Sequence, residues 1–199
     1  MPGKKTLSQI KVFELSMNDY TTIQVHKFVY GYTGLTNPAK MIQFQLSDNG
    51  TYGTYELAKP PMQSKSPSLA SYKNQYIFAI GGSKRFSGQA RGTTSLYDIQ
   101  RNKWRTLMPL KTWRTANSSC ALGEMLYTMC GKDDQLNYLN SIERLHAHAV
   151  VNGVKSEWHL IEIASGSDVQ SFVPRAQTFA IGFPETEEIM ILGGYASEL

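Results

Sequence analysis

Three times this chain stops a short apolar run on glycine, at FAIGG (78–82), TMCG (128–131) and ILGG (191–194). A looser version, FVYGY at 28–32, keeps Gly31 and carries Tyr32 where the second glycine would stand. A strand ending on residues without a Cβ can bend sharply and let a neighbouring backbone approach closely. One such stop is ordinary loop punctuation, but recurrence marks a repeated supersecondary unit that buries its faces against its own copies.

An aromatic residue accompanies each glycine stop. Trp104 opens WRTLMPL, Trp158 opens WHLIEI and Tyr55 opens YELAKPPM. Tyr55 lies 27 residues before Gly82, Trp104 lies 27 before Gly131, and Pro60 lies 49 before Pro109. These intervals place Tyr55, Trp104 and Trp158 at equivalent positions. From Trp158 to Gly194 the interval is 36, which locates an insertion at SGSDVQS, 165–171. Within a unit, SLASY, YIFAIGG, TTSLYDI and KWRTL are short, rich in β-branched and aromatic residues, and separated by turn residues. No 3.6-residue periodicity is sustained. Four short strands in about fifty residues is the pattern of a propeller blade.

Composition narrows the function classes. Of 199 residues, 41% are hydrophobic and 18% charged, which is globular material rather than a disordered tail. No apolar run approaches the ~20 residues that span a bilayer, and MPGKKTLSQ leads into no signal-like apolar stretch. Two cysteines make no disulfide framework, so a cytoplasmic, reducing location is expected. The net charge of +4 is spread beside turns, without the aromatic-interleaved basic stripe of a nucleic-acid binder. Neither nucleic acid nor membrane is expected as a partner.

The pattern resembles the kelch repeat: Gly81-Gly82 closes the second strand, Tyr97-Asp98 lies in the third, Trp104 in the fourth, and Arg114 and Arg175 open the following units. The blade motif is carried by Gly81, Gly82, Tyr97, Trp104, Gly131, Trp158, Gly193 and Gly194. Cys130 replaces one glycine and Leu145 the tyrosine in the unit that follows. The resemblance covers residues 20–199 and implies an all-β, kelch-type β-propeller of about three whole four-stranded blades plus part of a fourth. The expected organisation is an N-terminal segment at 1–19, a degenerate blade at 20–62, a blade at 63–110, a blade with an extended hairpin at 111–165, and the first two strands of another at 166–199. An incomplete or truncated ring is expected, either a fragment of a longer propeller or one whose missing blades a partner subunit or a homo-oligomer supplies. KVFELS at 11–16, returning to the last blade as a closing strand, is the alternative.

Kelch-type propellers grip protein or peptide partners through loops on one face and arginines near the first strands. By position, Arg114 and Arg175 match those arginines, with Lys65 a weaker stand-in. Arg85, Phe86 and Arg91 add an exposed aromatic flanked by cations. Trp113 is either core or contact. A non-enzymatic interaction module or scaffold is therefore expected, cytoskeletal or a ubiquitin-ligase substrate adaptor. The alternative is a kelch-propeller enzyme acting on carbohydrates, oxidase- or epimerase-like. No GxSxG, P-loop or HExxH motif supports catalysis, and no catalytic residue or cofactor is assigned.

Two local features complete the sequence reading. Asn152-Gly153 signals a two-residue hairpin turn, which would set His146 opposite His159 and His148 opposite Glu157. That polar face makes His146, His148 and His159 weak zinc candidates, though strand alternation alone generates such clusters. A tight turn after Cys120 would pair it with Tyr127, leaving Cys120 and Cys130 unbridged. Asp133-Asp134 read as loop carboxylates or a cation site.

Overall fold

The structure is a computed structural model that describes residues 20–36, 38–46, 52–84, 86–161 and 173–196. Its first sheet comprises β1 (Thr21–Val25), β2 (Phe28–Thr33), β3 (Lys40–Leu46) and β4 (Tyr52–Glu56). The second comprises β5 (Ser68–Tyr72), β6 (Tyr76–Ile80), β7 (Thr94–Asp98) and β8 (Lys103–Thr106). The third comprises β9 (Ser118–Leu122), β10 (Met125–Met129), β11 (Ile142–His146) and β12 (His159–Ile161), with a short helix α1 (Ala147–Val151) between its last two strands. A final pair is β13 (Arg175–Phe183) and β14 (Glu188–Ala196). Every strand pairs antiparallel with its neighbour in sequence, so each sheet is an up-and-down meander.

The first strands of successive sheets, β1, β5, β9 and β13, lie beside one another. Together they line a central cavity of about 420 Å³ that includes Thr22, Gln24, Ser71, Ser119 and Ile181. The architecture is that of a partial propeller, with three complete four-stranded blades and a two-stranded fourth among the described residues. Strand alternation explains the stacking. In the second sheet Leu69, Ile77, Ala79 and Tyr97 join Tyr30, Tyr32 and Met41 of the first. The intervening residues Ala70, Phe78, Ile80 and Leu96 join Leu126, Leu145 and Trp158 of the third. A smaller cluster of Cys120, Met129, Cys130 and Ala180, flanked by Ile189 and Ile191, joins the third sheet to the fourth. Each junction thus has its own apolar cluster, and both faces of the middle sheets are buried.

The glycine stops share one backbone conformation. Gly81 and Gly82 have φ of 69° and 90°, Cys130 and Gly131 60° and 96°, Gly193 and Gly194 66° and 90°. A Cβ on Gly81 would sit 2.7 Å from the Arg114 carbonyl oxygen of the next blade. The Gly82 N–H donates to that oxygen, as the Gly131 N–H donates to the Arg175 carbonyl. The stop is therefore where one blade hands over to the next.

The first unit differs from the sequence reading. Gly31 lies inside β2 without a left-handed φ. The close approach belongs to Gly34, where an added Cβ would overlap the Ser64 carbonyl oxygen. Tyr55 is also not the counterpart of Trp104. Trp104 is opposite Tyr97, whereas the residue opposite Phe44, which the strand pairing places where Tyr97 stands, is Thr54. Tyr55 therefore points to the other side of its sheet and is 56% exposed, while Trp158 is fully buried. Trp104 and Trp158 do correspond: each indole N–H reaches back to the preceding blade, to the Ala58 carbonyl at 2.8 Å and to Thr94 Oγ1 at 3.1 Å.

A second correction concerns residues 146–159. The Asn152-Gly153 turn does not join two strands. α1 precedes it, capped by His146 Nδ1 accepting from the Ala149 N–H, and it buries Ala147 and Val150 against the second blade. Cys120 does pair with Tyr127, and both cysteines are buried free thiols. Burial pushes the Cys120 thiol up to about 11. KVFELS, SGSDVQS and Arg85 fall outside the described residues.

Candidate functional site

The meander divides the connections between two ends. Tight turns at 26–27, 73–75, 99–102 and 123–124 all fall at one end of the sheets, together with α1. The second-to-third-strand loops and the blade-to-blade connections fall at the other end. Isolated bridges stitch that loop end together: Lys65 to Ser83, Ser83 to Ala90, Arg91 to Arg114, Thr115 to Lys132 and Lys132 to Tyr138. The Arg91 N–H also donates to Gly82 and the Arg114 N–H to Arg91. Lys65, Phe86, Arg91, Trp113, Arg114 and Arg175 all belong to this end, whereas His146, His148 and His159 belong to the other.

Arg114 is not available to a partner. Its side chain is 0% exposed and pairs with the equally buried Glu143 at 2.9 Å. Its remaining donors reach the carbonyl oxygens of Thr112, Cys130 and Ser141 and the Ser141 hydroxyl. Burial pulls the guanidinium pKa down, against the charge and hydrogen bond of Glu143. Glu143 also accepts the backbone N–H groups of Lys111 and Thr112, so it fixes the connection from the second blade to the third. Sequence reasoning missed Glu143, which lies 29 residues from Arg114 with no local signal between them.

Arg175 repeats part of this arrangement. It is half-buried, and its guanidinium donates to the Val173 and Gly193 carbonyls, as that of Arg114 does to Thr112 and Cys130. In the second blade the equivalent position is Ser64, not Lys65. The Ser64 hydroxyl donates to the Gly81 carbonyl at 2.6 Å, the bond that Arg114 makes to Cys130. Lys65 matches Thr115 by its bridge to Ser83 and is exposed.

The accessible chemistry of the loop end gathers around Trp113, which is 51% exposed. Beside it is a cavity of about 220 Å³ whose walls include Met62, Thr93 and Pro109 and whose cations are Lys84 and Arg91. The Lys84 ammonium donates to Gln89 Oε1 at 2.8 Å. Phe86 is 90% exposed on the same loop. Tyr32 braces the floor by donating to the Met62 carbonyl at 2.7 Å, and burial pushes its phenol up to about 12.

The metal candidates are not brought together. His159 is opposite Arg144 rather than His146, two residues off the expected register. The His146 and His148 rings lie 6.5 Å apart, with Glu124 3.7 Å from His146 and Lys73 3.3 Å from His148. Among the described residues no three His, Cys, Asp or Glu side chains form a metal-binding group. The Asp133 carboxylate organises its own loop by accepting from Gln135 and Asn137. Among the described residues no helix is long and apolar enough to cross a membrane.

In comparison with known proteins, no family model matches this chain. One curated protein similar to it is Kelch-like protein 36 of Bos taurus, 30% identical over 78 residues, which are 39% of this chain. The match covers 12% of that relative's length, so the likeness concerns a small part of a much longer protein.

Proposed function

We propose that this chain is a kelch-type protein-interaction module without catalysis of its own, presenting the loop end of its stacked blades to a protein or peptide partner. The observation that carries the reading is the concentration of exposed Trp113, Phe86, Lys65 and Lys84 at the end that holds the second-to-third-strand loops and the blade-to-blade connections. Large aromatics beside cations are the side chains that most often anchor an interface. The likeness to a Kelch-like protein supports the same reading. A cytoplasmic role as cytoskeletal scaffold or ubiquitin-ligase substrate adaptor is its finer form.

The test compares the two ends. Trp113→Ala with Lys65→Glu changes the loop end; Lys73→Glu with His148→Ala changes the turn end. Quantitative affinity capture from cell extract, with partners identified by mass spectrometry, should lose its specific partners with the first pair and keep them with the second. Equal capture by both would refute the assignment of the face. Arg114→Ala is unsuitable here, because it would leave Glu143 buried and unpaired.

A further inference from the structure

The β6–β7 loop carries the stretch KRFSG at 84–88, two cations ahead of a serine. Ser87 is exposed, and beside it Gly88 has φ of 68° with open space where a Cβ would stand. The tip closes on itself: the Lys84 N–H donates to the Gln89 carbonyl at 2.8 Å and the Gly88 N–H to the Lys84 carbonyl at 3.1 Å. With Lys84, Ser87 and Gln89 in solvent, a segment held by so few bonds opens at little cost. Among the described residues, Ser68, Ser87, Thr94, Thr106 and Thr178 each follow a Lys or Arg by three positions. All but Ser87 lie in strands, β5, β7, β8 and β13, where the backbone is committed to a sheet. Ser87 alone joins that upstream cation to a hydroxyl on an exposed loop.

Three side chains already meet at the tip. The Lys84 ammonium donates to Gln89 Oε1 at 2.8 Å, the Ser87 hydroxyl donates to the same oxygen at 3.3 Å, and the Gln89 N–H donates to Ser87 Oγ at 3.4 Å. A cation therefore stands one shared acceptor away from the serine oxygen. We propose that Ser87 is a phosphorylation site for a protein kinase that reads cations ahead of its target, and that Lys84 first guides the kinase and then holds the phosphate. Acidic groups on such a kinase complement the cations of KRFSG. Ser87 Oγ attacks the γ-phosphorus of ATP, the bond to ADP breaks as the new O–P bond forms, and the hydroxyl proton passes to the kinase's base. The phosphoserine brings a charge of about −1.5 to −2 and strong acceptor oxygens, which draw Lys84 Nζ away from the neutral Gln89 amide. The loop gains a charged clamp, and Lys84, a cation of the cavity beside Trp113, is neutralised. The site does not depend on whether the loop end binds a partner.

The experiment incubates the folded full chain with magnesium ATP and the catalytic subunit of cyclic-AMP-dependent protein kinase, a cation-reading probe, and maps the phosphate by mass spectrometry. Ser87 should be modified, while Ser68, Thr94, Thr106 and Thr178 stay unmodified until the chain is unfolded in urea before the assay. Ser87→Ala should remove that phosphate, and Lys84→Glu should slow its addition about ten-fold or more. In the phosphorylated chain the Ser87 phosphorus resonance should titrate at lower pH than in Lys84→Met phosphorylated by prolonged exposure, because the ammonium favours the dianion. No phosphate on Ser87, a rate indifferent to Lys84→Glu, or modification of the four strand residues in the folded chain would overturn the site. Equal titration in the parent and Lys84→Met would overturn the clamp. Each of these results leaves the interaction-module reading standing.

Discussion

Ser64 and Arg114 occupy the same place in successive blades and do the same job with different chemistry. Each donates to the carbonyl of the first residue of a glycine stop, Gly81 or Cys130. In the second blade a small hydroxyl suffices, and Ser95 stands where the third blade has Glu143. In the third blade a buried ion pair fills the position and also holds the connection at Lys111 and Thr112. A hydroxyl can be lost at the cost of one hydrogen bond. An ion pair stripped of one member strands a charge in the interior. Equivalent geometry therefore conceals very unequal vulnerability.

Four measurements break or sharpen that contrast. The largest effect is expected from Glu143→Leu, which leaves Arg114 buried and unpaired and should cost about 3–5 kcal/mol in urea unfolding. Adding Arg114→Met should recover most of that loss; no recovery would show that the pair is needed for its hydrogen bonds rather than its charge balance. Next comes Gly82→Ala, expected to cost about 1–3 kcal/mol, because φ is 90° and the new Cβ would meet the Lys65 carbonyl at 2.6 Å. Ser64→Ala should cost about 0.5–1.5 kcal/mol, and a loss as large as that of Glu143→Leu would erase the distinction drawn above.

The smallest effect concerns the ends of the third strands, where Asp98 and His146 each accept the N–H three residues on. Burial raises the Asp98 pKa, but hydrogen bonds and charge from Arg101 outweigh it, and the net shift is downward. The stabilisation is therefore present above the ordinary carboxylate pKa and fades as pH falls through the lowered one, below about pH 4. With Arg101 71% exposed, Asp98→Asn should change stability at neutral pH by under about 1 kcal/mol and flatten its decline in acid.

The repeat was legible because glycine stops demand a left-handed backbone that few other residues tolerate. Their spacing alone also misled, and one residue accounts for two errors. The β5–β6 turn has three residues, Lys73 to Gln75, where the β9–β10 turn has two. Ahead of that turn the offset between the second and third blades is 50 residues; after it the offset is 49. Carrying 49 back past the turn selects Lys65 and Tyr55 instead of Ser64 and Thr54. At 146–159 a strong local hairpin signal lost to the apolar cluster between blades, which is satisfied by helical Ala147 and Val150. Likewise the fate of Arg114 was set by Glu143, a contact only the folded chain creates.

The three apolar clusters are strung in series, with no common centre. Disturbance at the Tyr30–Tyr97 junction has no direct route to the Cys120–Ala180 junction except through the sheets between them. Energetically the molecule resembles a row of coupled neighbours, in which remote substitutions add independently and adjacent ones do not. Loops can therefore diversify around one blade while the packing two blades away registers nothing.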